Sequence, residues 1–141
     1  MRLWRLAREV HSALDGEGAR MFGGRWNSPG RPVMYCAGSA ALAVLEVRVH
    51  LDLPLDLLPE DYRLFAIETG DVGFEDAQPQ AMETARAFGD AWLASGRSAI
   101  LRVPSVIVPE EWNVLINPLH PHAQHIQVES QRPFQFDARL F

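Results

Sequence analysis

Lysine is absent from the 141 residues, and all 13 basic side chains are arginine. This absence excludes a phosphate-loop lysine, a Schiff-base lysine and a lysine-rich membrane patch. Cys36 has no second cysteine to pair with, so an intrachain disulfide and a four-cysteine zinc site are also excluded. No apolar run approaches the roughly 20 residues needed to span a bilayer, and the amino terminus lacks the apolar core of a signal peptide. We therefore expect a soluble, cytoplasmic protein that binds no membrane.

The chain also lacks a positive net charge, because 18 acidic residues against 13 arginines leave a net charge of -5. This balance argues against direct nucleic-acid binding, and with it against RNA cleavage. The charges are unevenly distributed: residues 1–51 contain seven arginines and four acids, whereas residues 52–90 contain two arginines and ten acids. An anionic ligand is therefore expected to bind to the first third of the chain.

The length and the 48% hydrophobic content fit a single domain over residues 1–141. Turn formers and alternating apolar residues predict strands at 3–6, 32–36, 62–69, 99–103, 106–108, 125–129 and 134–136. Residues 11–20 and 23–30 are predicted to be loops. Helices are predicted from Ala40 to Leu51, with Ser39 as the N-cap, and from Pro79 to Gly96. The expected fold class is α+β, with two packed β-sheets and a few flanking helices.

Arg25 is the first candidate functional residue, because it stands between a glycine pair and Trp26-Asn27. Small residues such as Gly24 let a ligand approach the backbone, and a planar guanidinium can bind phosphate with two hydrogen bonds. The alternative is an arginine that pairs with an acid and holds the loop. Trp26 is equally open to two roles, as a packing anchor or as a ring that stacks on a base.

Glu46 is the most informative acid. On the helix predicted from Ala40 to Leu51, it borders the apolar stripe that Leu42, Leu45 and Val49 form. A carboxylate in that position is partly removed from water. It either forms a salt bridge at the edge of the core, with a nearby arginine as partner, or acts as a site carboxylate on a rigid element. The residue pattern leaves both readings open.

Other chemistry finds little support. Gly16 and Gly18 are not followed by the strand-to-helix turn of a dinucleotide fingerprint. Prolines interrupt the spacing of the three histidines between residues 120 and 125, so no metal site is predicted. A Gly-x-Ser-x-Gly elbow is also absent. Taken alone, Tyr35 is typical of a core tyrosine and Ser105 of a turn serine.

The ordered series of motifs resembles the RES domain, the toxin of a bacterial toxin–antitoxin system. The motifs are Gly23-Gly24-Arg25-Trp26-Asn27, Pro32-Val33-Met34-Tyr35, Leu42-Ala43-Val44-Leu45-Glu46, Pro104-Ser105, Asn113-Val114-Leu115-Ile116-Asn117-Pro118-Leu119-His120 and Phe134-Gln135-Phe136-Asp137-Ala138-Arg139-Leu140-Phe141. The resemblance covers nearly the whole chain. It implies an ADP-ribosyltransferase-like fold, NAD+ as substrate rather than as a cofactor, and growth arrest as the cellular outcome.

The resemblance also implies the site residues. Arg25, Tyr35, Glu46 and Ser105 are the catalytic candidates, with Arg25 on the pyrophosphate, Glu46 on the ribose and its developing positive charge, Tyr35 stacking, and Ser105 in support. The substrate-binding candidates are Gly24, Trp26, Asn27 and Asn117. No metal is expected, and phosphate is a candidate co-substrate.

Three functions remain open at this stage. The first is degradation of NAD+ by hydrolysis or phosphorolysis of the nicotinamide–ribose bond, and the second is ADP-ribosylation of a cellular protein. The third is a non-catalytic module that binds NAD+ or a protein. The partner implied by the resemblance is an Xre-type helix-turn-helix antitoxin, and a homodimer within the toxin–antitoxin complex is a further option.

Overall fold

The computed structural model describes residues 1–78 and 81–141, so the predicted helix start at Pro79 lies outside the described residues. The fold is mixed α+β, as predicted. The strands are β1 (Arg2–Arg8), β2 (Met34–Ala37), β3 (Tyr62–Glu68), β4 (Phe74–Asp76), β5 (Ile100–Pro104), β6 (Trp112–Ile116) and β7 (Gln127–Pro133). The helices are α1 (Glu17–Phe22), α2 (Ala40–Arg48) and α3 (Met82–Ser95). Within the described ranges, no helix has the length and apolarity that crossing a membrane requires.

The described strands form one seven-stranded sheet in the order β4-β5-β6-β2-β1-β3-β7, where two packed sheets were predicted. The junction between β2 and β1 explains the difference. Their ladder contains one residue pair, Trp4 with Ala37, whereas β1 and β3 pair from Arg2 to Arg8. The sheet is therefore continuous but is held together at its centre by a short ladder.

The inner strands are buried on both faces: consecutive residues of β3, β5 and β6 point to opposite sides of the sheet, and most of them are buried. Ile100 packs with Ile116 on one face, in a cluster that includes Phe65, whereas Leu101 and Leu115 pack on the other. The aromatic anchor of that second face is a fully buried tryptophan of α3, Trp92. A third cluster joins α2 to β1 and β3 through Leu42, Leu6 and Leu64. These clusters hold α2 and α3 in fixed positions against the sheet.

The ends of the two longer helices agree with their predicted signals, with one exception. The Ser39 hydroxyl accepts a hydrogen bond from the Leu42 N–H at 3.1 Å, which confirms the N-cap of α2. Gly96 ends α3 in the left-handed conformation with φ 61°, also as predicted. Helix α2 ends at Arg48 instead of Leu51, and the Arg48 guanidinium donates to the Leu51 carbonyl at 3.3 Å.

Several local predictions were wrong. Helix α1, at residues 17–22, overlaps the loop predicted at 11–20, and β4 and β6 were not predicted. Residues 106–108 form no strand, because the Ser105 hydroxyl accepts hydrogen bonds from the Ile107 and Val108 N–H groups and turns the chain. Residues 134–136 are also not a strand: the rings of Phe134 and Phe136 pack edge to face instead. The predicted strand at 125–129 begins later, at Gln127.

Candidate active site

A cleft of about 1270 Å³ lies where β1 and β2 meet, and both residues of their single pair, Trp4 and Ala37, line it. Residues of α1, α2 and α3, the loop before β2 and the chain after β5 also line it. The predicted site residues that line this cleft are Gly24, Arg25, Trp26, Tyr35 and Glu46. Residues distant in sequence thus meet at the weakest point of the sheet.

The loop that carries Arg25 is held by a buried asparagine. Asn27 is fully buried, and its Nδ2 donates to the carbonyl oxygens of Ala19, Ser28 and Arg31 at 2.9, 3.2 and 3.1 Å. The loop also closes on itself, because the Gly24 N–H donates to the Asn27 carbonyl at 3.0 Å. Asn27, predicted to bind substrate, is placed by the structure behind the cleft wall.

Tyr35 connects β2 to the same loop. Its hydroxyl donates to Asn27 Oδ1 at 2.6 Å and accepts the Trp26 N–H at 3.0 Å. Gly24 lies against this hydroxyl so closely that a Cβ at position 24 would stand 2.7 Å from it. Burial raises the pKa of Tyr35 to about 12, so the phenol stays protonated at neutral pH. The hydroxyl therefore orients the loop, and the ring is what remains to face a ligand.

Arg25 enters the cleft without a carboxylate partner in residues 1–78 and 81–141. Its Nε is buried and has no hydrogen-bond partner in that part of the chain. The reading in which Arg25 pairs with an acid to hold the loop is therefore not what the structure shows, since the loop is held by Asn27 and Tyr35 instead. A buried guanidinium nitrogen without a partner is costly unless a ligand supplies the acceptor.

Glu46 extends from α2 into the cleft, and its Oε1 atom receives two hydrogen bonds. Ser105 Oγ and Asn113 Nδ2 each donate to it at 2.8 Å. Ser105 is buried, and its oxygen also accepts two backbone N–H groups, so this hydroxyl has a fixed direction. Among the described residues no arginine forms a salt bridge with Glu46. The carboxylate is held by neutral donors, and Oε2 receives none of their hydrogen bonds.

Asn117 lies outside the cleft. Its Oδ1 accepts the Leu119 N–H at 3.0 Å, and its neighbours Ile116 and Pro118 line a separate cavity of about 460 Å³. His120 lines the same cavity and lies edge to face against His122 at 5.0 Å. In the described part of the chain, no group of three or more His, Cys, Asp or Glu side chains is placed to hold a metal ion.

Sequence reasoning missed several polar residues that line the cleft, namely Arg5, His50, Glu83, Arg86 and Asn113. Arg5, on β1, lines the cleft, donates to the His11 carbonyl at 2.9 Å and has its pKa lowered by burial. Asn113, on β6, donates to Glu46 while its own Oδ1 is buried without a partner among the described residues. The available signal was a polar residue inside an otherwise apolar strand sequence, which burial makes costly unless it is used.

Comparisons with known proteins identify the family of this chain. Residues 2–137 match the family model described as the RES domain. A protein of Pseudomonas putida named Toxin Res is 39% identical over 150 residues, which cover 100% of both chains. A Sphingobium protein named Prs ADP-ribosylating toxin is 42% identical over 154 residues, covering 97% of this chain and 94% of the relative. A Mycobacterium tuberculosis protein named NAD(+) phosphorylase MbcT is 38% identical over 112 residues, covering 69% of this chain and 60% of the relative.

The fold has a solved counterpart. The structure titled as the M. tuberculosis MbcT–MbcA toxin–antitoxin complex superposes with a TM-score of 0.76 over 95% of this chain and 84% of that chain, at 22% sequence identity. The sequence motifs, the position of Arg25, Tyr35 and Glu46 in one cleft, and the match over residues 2–137 lead to the same assignment. This chain belongs to the RES domain family, whose relatives include toxins that act on NAD+ or attach ADP-ribose.

Proposed function

We propose that the chain is a toxin of a type II toxin–antitoxin system and that it breaks the nicotinamide–ribose bond of NAD+. The observation that carries this proposal is the environment of Glu46. Two neutral donors hold Oε1, so the second carboxylate oxygen is left for a ligand in the cleft. The proposal treats residues 1–141 as one RES domain with an ADP-ribosyltransferase-like fold, supported by a sheet whose two halves join by a single residue pair.

Bond cleavage makes the ribose positively charged. As the bond from the ribose anomeric carbon to the nicotinamide nitrogen breaks, its electron pair leaves with neutral nicotinamide, and the sugar gains oxocarbenium character. A carboxylate that is already fixed opposes this charge without reorganising, and removal of such a group typically lowers the rate by about 10² to 10³. Glu46 is suited to this role, and its Oε2 atom can accept a hydrogen bond from a ribose hydroxyl.

Three arginines line the cleft, and we assign the pyrophosphate to two of them, because the third, Arg86, donates to the Gly24 carbonyl. Arg25 has a buried Nε that lacks an acceptor, and Arg5 lines the cleft with a pKa lowered by burial. The two negative charges of the NAD+ pyrophosphate would compensate both guanidinium groups. The Tyr35 ring and Trp26 supply aromatic surface, while the backbone at Gly24 leaves room for close approach.

The nucleophile that replaces nicotinamide on the ribose is water or phosphate. Either water or inorganic phosphate adds to the anomeric carbon as nicotinamide departs, and the proton released from the nucleophile passes to solvent. Hydrolysis yields ADP-ribose, whereas phosphorolysis yields ADP-ribose phosphate. The relative named NAD(+) phosphorylase favours phosphate as the co-substrate. No residue in this scheme requires a resident metal or cofactor.

Protein ADP-ribosylation is the second candidate. The relative named Prs ADP-ribosylating toxin favours it, and so do exposed apolar side chains among the cleft residues, because a protein acceptor needs a surface to bind. These side chains are Phe22, Val49, Val106 and Ile107. The same apolar rim fits the antitoxin that we propose as partner, of the Xre-type helix-turn-helix class, with a carboxylate-bearing segment that enters the arginine-containing cleft. A homodimer within that complex and a cytoplasmic location are part of the proposal.

The decisive experiment is NAD+ turnover by the purified chain, with and without phosphate, with the products identified by mass spectrometry. ADP-ribose indicates hydrolysis, its phosphate ester indicates phosphorolysis, and a modified protein after addition of cell extract indicates transfer. Glu46→Gln should lower the rate by about 10² to 10³ because it removes the charge and keeps the shape. Glu60→Gln, at an exposed carboxylate outside the cleft, is the matched control. NAD+ binding without any turnover would instead identify a non-catalytic module.

A further inference from the structure

Helix α3 contacts the back of the loop that carries Arg25. The contact is closest at Gly89, where an added Cβ would stand 1.8 Å from the Trp26 carbonyl oxygen. Only a residue without a side chain lets the helix and the loop backbone come this near. The rings of Phe88 and Trp26 also meet edge to face, with centroids 6.1 Å apart.

Asp90 follows Gly89 and adds two hydrogen bonds to the same loop. Its Oδ1 accepts the Ser28 N–H at 2.8 Å, and its Oδ2 accepts the Ser28 hydroxyl at 2.5 Å. Both bonds have a carboxylate as acceptor, and such bonds are shorter and stronger than those between neutral groups. They fix the carboxyl end of the loop to a helix whose own position is set by the fully buried Trp92.

Arg86 contacts the other end of the loop from the preceding turn of the helix. Its Nε and Nη2 each donate to the Gly24 carbonyl at 3.3 Å. The residues Arg86, Gly89 and Asp90, which we call the loop clamp, therefore contact the residues before and after Arg25. None of them forms a hydrogen bond with Arg25 itself in the described part of the chain.

We propose that the loop clamp sets the direction of the Arg25 guanidinium and that Asp90 is a positioning residue for substrate binding. Arg25 has no carboxylate partner among the described residues, and its Nε is buried without an acceptor. Its direction is therefore set by the backbone that carries it. That backbone is held from the β2 side by Tyr35 and from the α3 side by Asp90.

The inference rests on the proposed function, in which Arg25 binds the pyrophosphate of NAD+. The pyrophosphate is remote from the bond that breaks, so its contacts are equal in the ground state and the transition state. Loss of such uniform binding raises KM and leaves kcat unchanged. A general loss of folding would instead lower the amount of active enzyme, and thus the apparent kcat.

The test compares Asp90→Ala with Asp90→Asn and with Asp71→Ala, an exposed carboxylate outside the cleft. For Asp90→Ala we expect the KM for NAD+ to rise about tenfold, equivalent to about 1.4 kcal/mol, with kcat within about threefold of wild type. Asp90→Asn should restore much of the affinity, because its amide oxygen still accepts the Ser28 N–H. Hydrogen exchange of the amides of residues 24–28 should be faster in Asp90→Ala than in Asp71→Ala.

A second variant covers the case in which Asp90→Ala fails to fold. Ser28→Ala removes the hydroxyl bond and keeps the backbone bond, so it should raise KM in the same direction by a smaller factor. A KM within about twofold of wild type for both variants, or a fall in kcat at constant KM, would overturn the role of the clamp. Absence of NAD+ turnover in the wild-type chain would overturn the proposed function instead, and the exchange of residues 24–28 would then decide the clamp alone.

Discussion

The two hydrogen bonds to Glu46 Oε1 allow a quantitative test of how the cleft prepares its carboxylate. Asn113→Ala removes one donor, Ser105→Ala removes the other, and the double variant removes both. The Asn113 change is the cleaner perturbation, because the Oδ1 atom of Asn113 has no partner among the described residues that its loss would leave unpaired. Ser105→Ala additionally leaves the Ile107 and Val108 N–H groups without their acceptor.

The expected size follows from the charge on the acceptor. A hydrogen bond to a charged group contributes about 1.5 to 3 kcal/mol, and about 1.4 kcal/mol corresponds to a factor of ten in rate. Asn113→Ala should therefore lower kcat/KM by about 10- to 100-fold, with a small change in thermal stability. Ser105→Ala should show a comparable loss of activity and a clear fall in the unfolding temperature, because it also removes two hydrogen bonds from backbone N–H groups, each worth about 0.5 to 1.5 kcal/mol.

Coupling between the two donors is the critical quantity. Because both bonds end on one oxygen, the effects of the two changes should not add in a double-mutant cycle, and the double variant should approach Glu46→Ala. Steady-state NAD+ consumption and thermal unfolding of the four proteins of the cycle and of Glu46→Ala supply the measurements. Activity of the double variant within about twofold of wild type would refute the reasoning, since neither donor would then orient the carboxylate.

Three further predictions concern the cleft and its partner. Arg25→Lys should weaken NAD+ binding about tenfold in calorimetry, because an ammonium group cannot reproduce the two parallel bonds of a guanidinium; unchanged affinity would transfer this role to Arg5. The raised pKa of Tyr35, about 12 against 10.0 in an unfolded chain, means that the contribution of Tyr35 to folding stability is complete below pH 10 and is lost as the pH rises toward 12. Urea unfolding of the wild type should show this loss of stability, on the order of 2 kcal/mol. The loss should be smaller in Tyr35→Phe, where only Cys36 still contributes through its own raised pKa. An equal loss in both proteins would contradict the prediction. Expression of the chain alone should arrest bacterial growth and lower cellular NAD+, and co-expression of a neighbouring helix-turn-helix protein should restore both. Inhibition of NAD+ turnover by that protein in vitro should weaken as the salt concentration rises. Growth arrest at constant NAD+ would favour protein ADP-ribosylation.

The absence of an arginine beside Glu46 has a structural cause. Arg48, two residues along α2, turns toward the carboxyl-terminal segment, where its Nε donates to the Leu140 carbonyl at 2.6 Å and its guanidinium lies 3.9 Å from the centre of the Phe141 ring. The nearest cation in sequence is thereby occupied elsewhere. The Glu46 carboxylate therefore lines the cleft without an arginine partner among the described residues, which suits the role we propose for it opposite a positive transition state.

The sequence by itself determined the local elements whose signals lie within a few residues. Ser39 began α2, Gly96 ended α3, and alternation predicted β3, because capping and alternation depend on neighbouring residues. The motifs around Arg25, Tyr35 and Glu46 were sufficient to identify the family. Local signals failed where a distant partner decided the structure: residues 106–108 lost their strand to the Ser105 hydroxyl, and β6 forms because β2 and β5 pair on either side of it.

Only the tertiary structure decided the chemistry available to each side chain. The sequence left Arg25 open between loop holding and ligand binding, and Glu46 open between a salt bridge and a site carboxylate. The fold assigned loop holding to Asn27 and Tyr35, and it supplied Glu46 with a donor from Asn113, 67 residues away. Such pairings depend on which strands become neighbours and on how far burial removes each group from water. Both are properties of the whole packed sheet, which no short stretch of residues encodes.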